Sequence, residues 1–125
     1  MDDYKLAKIS ANWWMEEIKK LCSHKYPQKV INTNSNFVII DNSLADDLSR
    51  FETVLTNEIL CCIQQRSYLC LTCCFLPGRE LSKLARKAQI STDYLPHRAT
   101  MQICGNSVEV SLDGEDLRKL PMSIS

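Results

Sequence analysis

Thiols are the residue type best able to do chemistry in this sequence. The chain of 125 residues carries seven cysteines, Cys22, Cys61, Cys62, Cys70, Cys73, Cys74 and Cys104. Cys70 and Cys73 have the C-x-x-C spacing with which a tight turn brings two thiolates to one zinc ion. The intervening Leu71 and Thr72 and the flanking Leu69 and Phe75 favour a strand over a turn. Side chains alternate along a strand, so Cys70 and Cys73 should point to opposite faces and could not share a metal. An odd cysteine count with two adjacent pairs argues against a disulfide framework. The expectation is reduced thiols packed as small hydrophobes, with no metal and no cofactor.

The other reactive groups are sparse. His24 and His97 are the two histidines, and Cys104 with His97 is the one pairing that resembles a nucleophile and its base. Asp41, Asp46 and Asp47 crowd one helix start, where negative charge stabilises the positive end of the helix. That role explains them without an active site. An enzyme, thiol-dependent if any, is the least expected kind of function.

The strongest functional signal is the junction Leu76-Pro77-Gly78-Arg79-Glu80. A strand ends, glycine turns the chain, and a helix begins. A helix N-terminus offers free N–H groups to a phosphate or carboxylate. Gly78 would let a ligand approach the backbone, and Arg79 could add a bidentate contact. Arg98 and Thr100 open a later strand and would reach the same site if that strand lies beside the first. Arg86 and Lys87 sit about two helical turns beyond Arg79, too far to grip the same phosphate. With one glycine, the loop matches neither a P-loop nor a dinucleotide fingerprint. The tandem Trp13-Trp14 is a second signal. Adjacent helical residues diverge by about 100°, so one tryptophan is expected in the core and the other at a flank, as an interface residue.

The elements that must carry these groups follow from periodicity. Leu6, Ile9, Trp13, Ile18 and Leu21 predict a helix over residues 4–22, capped by Asp2 or Asp3. Val30-Ile31 and the run 37–40 flank a polar cluster and predict a hairpin. Ser43 and Asp46 resemble a capping arrangement for a second helix reaching about Gln65, with Leu44, Leu48, Phe51, Leu55 and Ile59 inward. Residues 67–76 read as a buried strand, and 79–89 as a third helix. Residues 99–104 and 107–112 read as a hairpin turned at Gly105-Asn106, with glycine first as a type II′ turn requires. A last short helix is expected over 115–120. The fold class is α+β, a small mixed sheet packed on helices in a single domain over 1–125. If strands 67–76 and 99–104 were parallel, their connection would cross over right-handed.

Charge narrows the partners. The formal net charge is zero, which argues against broad duplex nucleic-acid binding. The distribution is uneven: residues 31–60 hold five acids and one base, and residues 79–100 hold five bases and two acids. The opening residues are acidic and lack an apolar signal-peptide region, and no run approaches membrane-span length, so a cytoplasmic, membrane-free protein is expected. The leading functional reading is a non-enzymatic binding protein. It would capture a phosphate-bearing small ligand, such as a nucleotide or nucleotide-derived signal, through Gly78, Arg79, Arg98 and Thr100. The alternative is a protein-interaction module, an inhibitor or adaptor of the accessory kind, acting as a homo-oligomer through Trp13 and Trp14.

Overall fold

In the computed structural model, which describes residues 2–34 and 36–121, three helices pack with two antiparallel sheets. The class is α+β, as the periodicities imply. The order is α1 (Asp3–Lys25), β1 (Val30–Thr33), β2 (Asn36–Ile39), α2 (Asn42–Gln64), β3 (Tyr68–Cys74), β4 (Leu76–Pro77), α3 (Arg79–Ala88), β5 (Arg98–Cys104), β6 (Ser107–Leu112) and β7 (Arg118–Leu120). A single 3-10 turn, Thr92–Tyr94, links α3 to β5. The larger sheet has strand order β4-β3-β5-β6-β7. Every described pairing is antiparallel, so the conditional right-handed crossover does not arise.

The helices start and stop for identifiable reasons. The Asp2 carboxylate accepts from the Lys5 N–H at 2.8 Å and caps α1. For α2 the cap is Asp41, whose carboxylate accepts from Leu44 N–H at 2.9 Å, rather than Ser43. The helix therefore begins earlier than expected, and Asp46 and Asp47 fall beyond its first turn. Asp47 instead pairs with Arg50 at 2.6 Å. Gln89 closes α3 in the left-handed region at φ 59°, with Ile90 N–H reaching back to the Ala85 carbonyl at 3.0 Å.

The core lies between the helices and one face of the larger sheet. Leu69, Leu71 and Cys73 of β3, Met101 and Ile103 of β5, and Val108 and Val110 of β6 are buried, alternating with exposed or half-buried neighbours. Leu44, Leu48, Phe51, Leu55 and Ile59 of α2 are buried along the expected stripe. The second face of the sheet stays uncovered and presents Tyr68, Cys70, Thr72, Thr100, Gln102 and Cys104. The expected N-terminal hairpin forms a separate two-stranded sheet, with Val30 buried and Phe37 and Ile39 packed on the core. Ser35 of its expected turn lies outside the described residues.

Two segments differ from what their sequence patterns imply. Trp13 and Trp14 are both buried, at 9% and 0% exposure, in an edge-to-face pair with centroids 5.1 Å apart. The apolar face of α1 is broad enough to take both, so the expectation that one stands at an exposed flank does not hold. Residues 115–120 are not a helix: Asp113 and Gly114 turn the chain at φ 53° and 78°, and Arg118–Leu120 pairs with β6. A six-residue helix is barely nucleated alone. Pairing instead satisfies the backbone of β6 and buries Leu120 opposite Val108.

Candidate functional site

The junction singled out in the sequence is a tight reversal rather than a simple strand-to-helix turn. β3 ends at Cys74, Phe75 takes the left-handed region at φ 64°, and Leu76–Pro77 folds back antiparallel on β3. The Phe75 N–H donates to the His97 carbonyl, which holds the reversal against the start of β5. The reversal leaves Phe75 69% and Leu76 79% exposed. The Phe75 and His97 rings lie side by side, 6.1 Å between centroids and tilted by 31°. A bulky residue at positive φ is strained, and this one gains no burial for it.

Gly78 has a structural assignment. Its N–H donates to the Thr72 carbonyl at 2.8 Å, extending the β4 pairing by one residue. A Cβ at this position would stand 2.5 Å from Thr72 Oγ1. Glycine is therefore required for close approach of the chain to Thr72, and φ there is an ordinary −66°. Gly78 caps α3 without a side-chain bond, and Glu80 places a carboxylate in the first turn. Arg79 is exposed at the helix start.

Arg98 and Thr100 do come together. They line one depression of about 160 Å³ with Cys73, Cys74, Ala99, Ser111, Asp113 and Gly114. A Cβ on Gly114 would lie 2.9 Å from Arg98 Nη2, so the glycine leaves room for the guanidinium. Neither Gly78 nor Arg79 lines that depression. Thr100 is opposite Thr72, and Thr72 is opposite Gly78, so glycine and hydroxyl share a row of the sheet with one strand between them. The expected single grip by all four residues is thus split between two places.

The helix that follows carries most of the local charge. Arg79, Lys83, Arg86 and Lys87 of α3 are all exposed, as is Arg98. None of the five has a carboxylate within salt-bridge distance among the described residues, whereas α1 and α2 pair Lys19 with Glu16, Lys20 with Glu17 and Arg50 with Asp47. The five bases between residues 79 and 100 were legible in the sequence, whereas the common outward face of Arg79, Lys83 and Arg86 follows from the side of α3 that is buried. The exposed rings at Phe75 and His97 were not legible, because they depend on the reversal.

Cys61, Cys62 and Cys70 line one depression of about 460 Å³ with Glu58 and Glu80. The expectation of buried thiols holds for Cys22, Cys62 and Cys73 only, since Cys61, Cys74 and Cys104 are exposed. Cys73 is buried and Cys70 is half-buried on the opposite face, as strand alternation requires. Among the described residues no three His, Cys, Asp or Glu side chains are placed to hold a metal ion. His97 and Cys104 stand at opposite ends of β5, about 20 Å apart at strand rise, so they cannot act as a catalytic pair. Burial pushes the Cys22 thiol up to about 11, against the smaller opposing effect of Lys25 and Lys29. Burial, with Cys74 beside it, raises Cys73 as well. Among the described residues no helix is long and apolar enough to cross a membrane. No protein-family profile, no curated protein and no solved structure matches this chain.

Proposed function

We propose that this chain is a non-enzymatic binding protein whose ligand carries phosphate and meets the surface around β4, α3 and the start of β5. The observation that carries the reading is the set of five exposed cations between Arg79 and Arg98 with no carboxylate partner among the described residues. Unneutralised arginines favour phosphate through charge-assisted, bidentate hydrogen bonds. The Thr100 hydroxyl beside Arg98 adds a donor of the right kind, whereas the Ser111 hydroxyl already donates to the Glu115 carbonyl and Asp113 sets one carboxylate in the same depression. Gly78 serves this site indirectly, by setting where α3 begins. Calorimetry or thermal-shift measurement against inorganic phosphate, mononucleotides, cyclic nucleotides and nucleotide sugars tests the reading. Arg79→Ala and Arg98→Ala should each weaken binding about tenfold to a hundredfold, the size of one charge-assisted contact, with melting nearly unchanged. Absence of binding by every phosphate compound, polymeric ones included, would sink it.

A second reading, a protein-interaction module acting as a homo-oligomer, is supported by the hairpin. Ile31 and Val38 are directly opposite on its outer face, Ile40 follows, and all three are exposed. A two-stranded apolar face with open edges is a surface that association would cover. Light scattering of the wild type and of Val38→Asp decides. A monomer mass for the wild type across a wide concentration range counts against this reading.

A further inference from the structure

We infer that the phosphate-bearing ligand is a polymer, a single strand of nucleic acid lying along the outer face of α3 with a base stacked at Phe75 and His97. The inference rests on the phosphate reading above and adds the class of ligand. Each helical residue advances by about 100°. Leu81, Leu84, Ala85 and Ala88 are buried on one side of α3. Arg79, Lys83 and Arg86 then fall within about 60° of arc on the opposite side, and Lys87 borders them. From Arg79 to Arg86 the strip runs about 10 Å at helical rise. Arg79 with Lys83, Lys83 with Arg86 and Lys83 with Lys87 are neighbours of like charge at three- and four-residue spacing, which weakens a helix. Glu80, the one acid on the helix, makes no ion pair there among the described residues. Arg86 and Lys87 suit the negative end of this ten-residue helix, but Arg79 stands at its positive end. No ion pair offsets the like-charge neighbours among the described residues, so the strip presents a site complementary to a line of negative charge.

The rings decide which polyanion. Phe75 is held at positive φ with its side chain exposed, and His97 lies beside it. Arg98 follows His97, and its backbone pairs opposite Cys74. A stacking platform next to an arginine matches a base and its phosphate. In a duplex the bases already stack on one another, so the rings would have no face to meet. An acidic protein would match the charges but makes no particular use of paired rings. The zero net charge fits a local contact with one flexible strand better than a long duplex footprint.

The test is fluorescence anisotropy of the full chain with labelled mixed-sequence single-stranded DNA and RNA. The oligonucleotides run from about 4 to about 16 nucleotides. Unlabelled duplex, a mononucleotide and poly-L-glutamate serve as competitors. Affinity should rise with strand length. Its logarithm should fall with the logarithm of salt at a slope of about −2 to −3, as three or four phosphate contacts require. The double variant Lys83→Glu, Arg86→Glu should lose at least about tenfold in affinity and flatten that slope. Phe75→Ala should lose about tenfold with the slope unchanged, since stacking releases no counterions. Circular dichroism checks that the variants fold. A mononucleotide binding as tightly as the longest strand overturns the polymer and leaves the phosphate reading standing. Failure of every phosphate compound overturns both. Equal affinity for duplex, preferential capture of poly-L-glutamate, or indifference to the double variant also overturns the inference.

Discussion

Gly78 and Phe75 show how one residue's role follows from its surroundings rather than its type. A glycine before a helix invites a ligand-binding interpretation, but a Cβ there would stand 2.5 Å from Thr72 Oγ1, which explains it by packing. Gly78→Ala should destabilise the fold by about 1–3 kcal/mol through overpacking, read as a lower midpoint in chemical denaturation. A change under a few tenths would mean that Thr72 simply rotates away. Phe75 is the reverse case, strained at φ 64° and exposed. Phe75→Gly should relieve about 1 kcal/mol of left-handed strain and raise the denaturation midpoint. An unchanged or lower midpoint would show that the ring contributes packing. Cys22 gives a pH signature. Its thiol is fully buried and pushed up to about 11. In the unfolded chain it ionises near its ordinary value of 9.0. The unfolded state then binds fewer protons between those values, so this contribution is full below pH 9 and is lost as pH rises towards 11. Replacing it, as Cys22→Ala, should flatten the alkaline limb of the stability profile relative to wild type.

At the scale of elements, α2 is the spine. Its buried stripe of Leu44, Leu48, Phe51, Leu55 and Ile59 contacts α1, α3 and the sheet. Phe51 is fully buried, so Phe51→Ala should cost about 3–5 kcal/mol, and a loss below about 1 kcal/mol in chemical denaturation would contradict that packing. The cap is a separate and smaller quantity. Asp41→Ala removes the acceptor for Leu44 N–H and should cost about 1 kcal/mol, while Ser43→Ala should cost little because Ser43 is not the cap. Finding the reverse order by denaturation would relocate the start of the helix. The hairpins and helices were legible because each has a period and a boundary signal. Residues 115–120 were not, since Leu117 and Leu120 suit a helix as well as a strand in so short a segment.

At the scale of the molecule, zero net charge conceals a division. Acids gather on α2 and its approach, and bases gather from α3 to β5. Repulsion among the α3 cations is screened by salt, so moderate salt should stabilise the free protein slightly while weakening any phosphate ligand. A melting temperature that falls as salt rises would argue that the cations are paired in solution. The helices cover one face of the larger sheet, and the other is left lined with hydroxyls, thiols and an amide. The grounds for an oligomer at Trp13 and Trp14 disappear once both are buried. Exposed apolar surface is found instead on the hairpin, at Ile31, Val38 and Ile40, and at the reversal, at Phe75 and Leu76.

Composition and periodicity by themselves determined the α+β class, the three helices, both hairpins and the separation of Cys70 from Cys73. Each depends on contacts within a few residues, or on the alternation of a strand. The strand order, the reversal at Phe75, the union of Arg98 with Thr100 and Ser111, and the separation of both from Gly78 and Arg79 were decided by the tertiary structure. Those depend on which strands pair and in what register, and a pairing energy is shared between segments far apart in the chain. No local pattern at Gly78 carries the position of Thr72, and none at His97 carries its distance from Cys104. The charges of the candidate surface were therefore readable in advance, while its shape followed only from the packing of the sheet.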